Sequence, residues 1–165
     1  MIFGQPYEFA IFYEILEKTD DSYWKYGVFV FFIEDEIYPS KGSNYTLSMA
    51  IDYLKDSHQE VIDCQSKGLD LSVNDKKLIK VLARSHGIKL EGDLVDLEVS
   101  GSEKIGVFLS PLEIIDTGFY LFYYPSGNEE YLIYSSDYGL TARKTVLRRG
   151  TVSSVLAQLP LKDAI

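Results

Sequence analysis

The hexapeptide Val28-Phe29-Val30-Phe31-Phe32-Ile33 constrains this chain more than any other stretch, because its branched and aromatic side chains alternate faces without one polar position. A strand that is apolar on both faces belongs in the middle of a sheet, covered on both sides. Upstream, Phe9, Ile11, Tyr13 and Ile15 stand at every second position, with Glu8 and Glu14 on the other face, the pattern of a half-buried strand. Thr19-Asp20-Asp21-Ser22 supplies turn residues between the two runs, so they are expected to form an antiparallel hairpin. Beyond the polar bend Glu34-Asp35-Glu36, Ile37-Tyr38 starts a short third strand that Pro39 ends by removing a ladder donor.

The apolar spacing then changes from two to three and four. Leu47, Ala50, Ile51, Leu54, His58, Val61 and Ile62 form one stripe, with Asp52, Lys55, Asp56 and Glu60 opposite, predicting an amphipathic helix. A second helix is predicted from Ser72 and Asp75, spaced as an approximate capping box, through Leu78, Val81, Leu82 and Ser85 to Gly87. Strands return at 94–99, 105–109 and 113–116, and 119–124 pairs with 131–135 across the loop 125–130. Residues 142–147 make a basic strand, and Val152, Val155, Leu156 and Leu159 a short closing helix. The expected architecture is α+β: a mainly antiparallel sheet, two amphipathic helices packed on one face, and a short C-terminal helix. Its 165 residues are 46% hydrophobic and no repeat or linker divides them, so 1–165 is read as a single domain. The strand 131–135 is expected at an exposed edge, available to another chain.

Charge narrows the partners. The net charge is −9, and residues 1–75 hold 14 acidic and 5 basic groups, whereas 143–165 hold 1 and 5. Such a surface repels phosphates, which argues against nucleic acid, and steers basic partners towards it. The aromatic strand 119–124 has the look of a platform for single-stranded nucleic acid, but Glu129 and Glu130 flank it, and it is read as sheet core. The first seven residues lack a basic stretch followed by an apolar one, so no secretory signal is read and the cytoplasm is the expected location. Charged residues interrupt every apolar run, which leaves no membrane span. Cys64 is the lone cysteine, excluding an internal disulfide and a cysteine-rich zinc site.

Few residues suit catalysis. His58 lies on the apolar stripe of the first helix and is read as packed; His86 falls in the last turn of the second, where a cation favours the helix dipole. Cys64 has no motif around it, and Ser135-Ser136-Asp137 lacks the elbow of a serine hydrolase, so it is read as a strand-end cap. Asp93, Asp96 and Glu98 alternate with apolar residues and are read as the solvent-facing side of a strand, not a calcium loop. Gly101-Ser102-Glu103-Lys104-Ile105-Gly106 lacks the ending of a phosphate-binding loop and is read as a hairpin turn. No catalytic residue, metal or cofactor is assigned. What remains is a protein-binding domain, with a regulatory adaptor and a small hydrolase using two facing carboxylates as the other classes.

The opening Ile2-Phe3-Gly4-Gln5-Pro6 with Phe9-Ala10-Ile11, then Trp24, Gly27-Val28-Phe29, Phe31-Phe32-Ile33 and Tyr38-Pro39, resembles the immunity protein 42 family of bacterial polymorphic-toxin and contact-dependent growth inhibition systems. The resemblance covers roughly the first quarter of the chain. It implies a cytoplasmic, non-catalytic antidote that binds and neutralises a cognate toxin domain, often a nuclease, and it carries no pattern of functional residues. An acidic domain with surplus tyrosines suits a basic toxin whose substrate phosphates its carboxylates imitate. The contact is expected among Asp20, Asp21, Glu34, Asp35, Glu36, Glu129 and Glu130 with Trp24, Tyr26, Tyr38 and Tyr45, charges steering association and aromatics anchoring it.

Overall fold

The computed structural model describes residues 1–93 and 103–165. Strands β1 (Ile2–Gln5), β2 (Phe9–Lys18), β3 (Lys25–Ile33) and β4 (Glu36–Tyr38) lie in that order in an antiparallel first sheet. A further short strand, β5 (Tyr45–Thr46), pairs with the start of β3, and β4 pairs with its end. The helices α1 (Leu47–Asp63) and α2 (Asp75–Ser85) follow. The second sheet has the order β6 (Val107–Phe108), β7 (Tyr120–Ser126), β8 (Glu129–Ser135) and β9 (Arg143–Arg148), with α3 (Leu112–Ile115) before β7 and α4 (Thr151–Gln158) after β9.

Turn chemistry sets the hairpins. Glu34 and Asp35 connect β3 to β4 with φ of 53° and 65°, the left-handed pair that matches the twist of two tightly joined strands. Gly127 at φ 61° and Asn128 join β7 to β8 with Ser126 opposite Glu129, so this hairpin is tighter than the six-residue loop expected there.

The faces follow from the register. Phe9, Ile11 and Tyr13 of β2 lie opposite Ile33, Phe31 and Phe29 of β3, and all six enter the main core with Leu47, Ile51 and Leu54 of α1 and Val152, Val155 and Leu156 of α4. The second sheet closes this core from its other side through Leu121, Tyr123, Leu132 and Tyr134. Phe119 joins the layers, with its ring 5.7 Å from Phe31 and stacked on Tyr38 at 5.1 Å. The alternate residues Tyr120, Phe122, Tyr124 and Ile133 face away and are covered by Leu78, Ile79, Leu82 and Ala83 of α2.

The α+β class, the antiparallel pairing and the short C-terminal helix are as expected. The layering is finer: the strands divide into two sheets, and α1 and α2 belong to different hydrophobic clusters. The hexapeptide of β3 is central in its sheet, yet covered differently on its two sides. Phe29, Phe31 and Ile33 join the core, whereas Val28, Val30 and Phe32 join neither cluster.

Several local expectations change. Asn74, not Ser72, caps α2 by accepting from the Lys77 amide at 2.9 Å; Ser72 is held in a separate turn by Asp70. Within the helices Ile79 and Ser57 are buried while Val81 and Ile62 are exposed, though Leu47, Ala50, Ile51, Leu54, Val61, Leu78 and Leu82 keep their expected burial. Residues 113–115 are helical in α3 and Asp116 is its C-cap, not a strand, because Pro111 starts a turn in which its carbonyl accepts from the Ile114 and Ile115 amides. The stretch 131–135 lies in β8, which is paired on both sides by β7 and β9, so it is no edge. The expected strand 94–99 lies outside the described residues, as do Asp96 and Glu98. Asp93 is buried and paired with Arg84 at 3.0 Å instead of facing solvent.

Candidate partner-binding surface

The eleven residues expected to meet a partner separate into four places. Asp20, Asp21 and Trp24 are exposed at the β2–β3 turn, with Tyr26 half-buried next to them. The Asp21 carboxyl accepts from the Thr19 hydroxyl and, at 2.9 Å, from the Tyr23 amide, and the Thr19 bond foremost holds its pKa below the usual value. Trp24 meets Tyr23 edge-on at 5.1 Å. This turn is thus ordered by its own hydrogen bonds and presents an aromatic pair beside two acids.

Glu34, Asp35, Glu36 and Tyr38 gather at the opposite end of β3. Asp35, Glu36 and Tyr38 line a groove of about 770 Å³ between the sheets, walled on the other side by Tyr134, Ser136 and Arg143. Glu36 accepts from the Tyr38 hydroxyl at 2.7 Å and from Arg143 at 2.9 Å; the tyrosine bond first, then the Arg143 charge, lowers its pKa. Burial, followed by the Glu36 bond, pushes the Tyr38 phenol well above its ordinary value. Glu34 accepts from the Thr145 hydroxyl at 3.0 Å. Two of the three acids therefore clasp the second sheet, and the Asp35 carboxyl alone of the three has no hydrogen-bond partner among the described residues.

Three of the expected contact residues are buried within the chain itself. Tyr38 is 6% exposed and Tyr45 4%, each filling the main core. Glu130 is 0% exposed and accepts from the Tyr123 hydroxyl at 2.9 Å, the Gly150 amide at 3.1 Å and the Val152 amide at 2.8 Å. From β8 it accepts the amides of Gly150, the N-cap of α4, and of Val152 in the first turn, which the helix leaves free. Its signal was in the alternation, since Glu130 shares a strand face with Leu132 and Tyr134. Glu129, one position away, is exposed and accepts from the Tyr131 hydroxyl at 3.0 Å.

The residues weighed for chemistry are occupied structurally. His86 and Cys64 border one shallow depression near Glu60 and Lys104, a proximity that their separation in sequence hid. The His86 Nε2 donates to the carbonyls of Ile105 and Gly106 at 2.9 and 3.1 Å, and burial lowers its pKa, so the cationic helix-end role expected for it gives way to a neutral ring. Burial raises the Cys64 thiol pKa, the opposite of an activated nucleophile. Ser135 Oγ donates to Asp137 and accepts from the Gly139 amide at 2.8 Å, closing the strand end. No group of three His, Cys, Asp or Glu among the described residues is placed to hold a metal ion, and no helix among them is long and apolar enough to cross a membrane.

What the surface does offer is unpaired negative charge on turns and an open sheet face between them. Against this background, residues 1–162 match immunity protein 42. The chain belongs to the immunity protein 42 family. An immunity protein works by binding, and the family implies a binding role, not catalysis. A relative of the family member described here is an uncharacterised protein of Pasteurella multocida strain Pm70, 26% identical over 97% of this chain and 99% of that protein. The fold is shared with CdiI from Burkholderia dolosa AUO158, whose crystal structure matches with a TM-score of 0.75 at 21% identity, over 95% of this chain and 96% of that one.

Proposed function

We propose that this chain is a cytoplasmic antidote that binds and neutralises a basic toxin domain, a nuclease, of a contact-dependent or polymorphic toxin system. The observation that carries this reading is the segregation of charge within a member of an immunity family: 14 acidic and 5 basic groups in residues 1–75. A nuclease domain carries cationic groups that hold phosphates. Carboxylates on exposed turns, Asp20 and Asp21 at one end of β3 and Asp35 at the other, would steer such a domain inward and take the place of its substrate. With Glu130, Tyr38 and Tyr45 buried, this reading rests on Asp20, Asp21, Trp24, Tyr26, Asp35 and the exposed parts of Glu34, Glu36 and Glu129.

Co-expression tests this reading. The toxin domain encoded beside this chain's reading frame is expected to arrest growth and degrade cellular DNA or RNA alone, to co-purify with this chain, and to be silent in its presence. Charge reversal of Asp20, Asp21 and Asp35 together should slow association and flatten its salt dependence. Growth arrest that persists despite a folded, abundant antidote would refute the immunity reading. Neutralisation of a toxin that leaves nucleic acid intact would refute the nuclease assignment.

A further inference from the structure

The outer face of the first sheet is apolar, and no helix or strand among the described residues packs over it. By register, Ile2 lies beside Phe12, Phe12 beside Val30, Glu14 beside Val28, and Phe32 beside Ile37, so these side chains share one face. None of the six apolar ones joins either hydrophobic cluster. Their burial is graded from centre to margin, with Ala10, opposite Phe32 on the same face, fully buried. The short Val30 is 7% exposed, Phe12, Val28 and Phe32 are half-buried, and Ile2 and Ile37 at the margins are each 47% exposed. A helix laid across the face would bury the large rings first, as α2 does for Phe122 and Tyr124 on the second sheet.

The charges around this face select its occupant. Glu14 and Glu17 stand on it at one end, opposite Val28 and Tyr26, and Asp35 lies at the turn beyond its other end. No lysine or arginine occupies a paired position on this face. β3 spans about 26 Å, so the surface has an apolar middle with carboxylates at both ends, the arrangement of an interface centre and its rim. A second copy of this chain would bring acids against acids in either orientation, which costs rather than stabilises. An anionic membrane is repelled for the same reason.

We propose that the outer face of the first sheet is the seat of the toxin domain, which meets it with an apolar centre flanked by lysine and arginine. This rests on the immunity reading and deepens it. It also explains why the β3 hexapeptide is apolar on both sides: the chain covers one, and the partner covers the other. Phe12, Phe32 and Val28 act as the anchors, and Glu14, Glu17 and Asp35 set orientation.

Titration calorimetry against the toxin domain encoded beside this chain tests the assignment, with thermal melting to confirm that each variant folds. Phe32→Asp and Ile37→Lys should each weaken binding about 100-fold or more, whereas Val146→Lys, equally exposed on the second sheet, should change it less than about threefold. Ile37 is already nearly half exposed, so its variant keeps the test valid where Phe32→Asp fails to fold. Wild-type affinity in Ile37→Lys with loss in Val146→Lys would overturn the seat while leaving the immunity reading intact. No binding by the wild-type chain would overturn both. Sedimentation showing a dimer of this chain alone that Ile37→Lys dissociates would assign the face to self-association and overturn the proposal.

Discussion

The two sheets are built from equally apolar strands and treat their outer faces in opposite ways. In the second sheet Tyr120, Phe122 and Tyr124 lie under α2, and both sides of β7 are buried within the chain. In the first sheet Phe12, Val28 and Phe32 have the same chemical character and, among the described residues, no helix over them. Strands buried on both faces read as continuous apolar runs; in the second sheet the chain itself supplies both covers, and on the first sheet the proposed partner supplies the outer one. Charge draws the same boundary, because the acidic excess belongs to the half of the sequence that makes the first sheet.

This contrast can be broken most directly by truncating one ring on each side. Phe122→Ala removes a fully buried side chain beneath α2 and should destabilise by about 3–5 kcal/mol. Phe32→Ala removes a half-buried ring and should cost roughly 1 kcal/mol in the free protein. Urea denaturation of both variants measures the gap; equal losses would mean that the first sheet's outer face is roofed after all. An effect between these two is expected at Glu130, a polar residue buried between the second sheet and α4. Glu130→Gln leaves one of three donors, the Tyr123 hydroxyl or an α4 amide, poorly matched and should cost about 2 kcal/mol, read as an earlier melt with faster amide exchange in α4.

The smallest effect concerns acid. Burial depresses the His86 pKa below its ordinary 6.5, so the unfolded chain binds the proton more readily than the folded one. The stabilisation is therefore complete above about pH 6.5 and is lost as pH falls through the lowered value. His86 packs 5.7 Å from the Phe122 ring, which places this loss in the second sheet. His86→Gln should flatten the stability profile between pH 7 and 5; an unchanged slope would exclude His86 as its source.

Much of this contrast was legible in the sequence. Period-two alternation located β2, an unbroken apolar run β3, the turn between two aromatic runs β7 and β8, and three-to-four spacing α1, α2 and α4, because each element is long enough to show its face. Where short-range signals compete, the reading failed. Pro111 turned 113–116 into a helical turn, Asn74 displaced Ser72 as the cap of α2, and the pairing of 143–148 with β8 made an expected edge strand central. The contact residues were harder still, since exposure is a tertiary property. Tyr38 and Tyr45 have the composition of anchors and the burial of core, and Glu130 looks like a loop acid until its three donors are counted. The aromatic patch on the first sheet was visible as the unbroken hexapeptide but was misassigned, because sequence alone does not say which molecule covers a face.

The central claim is that a toxin domain occupies the face left bare on the first sheet. Methyl NMR of this chain with and without the toxin domain tests it most directly, since the two outer faces carry separate reporters. The account predicts shifts concentrated at Ile2, Val28, Val30 and Ile37, with Ile79, Leu82 and Ile133 beneath α2 unmoved. Shifts confined to α2 and the second sheet, with the first sheet silent in a saturated complex, would contradict it.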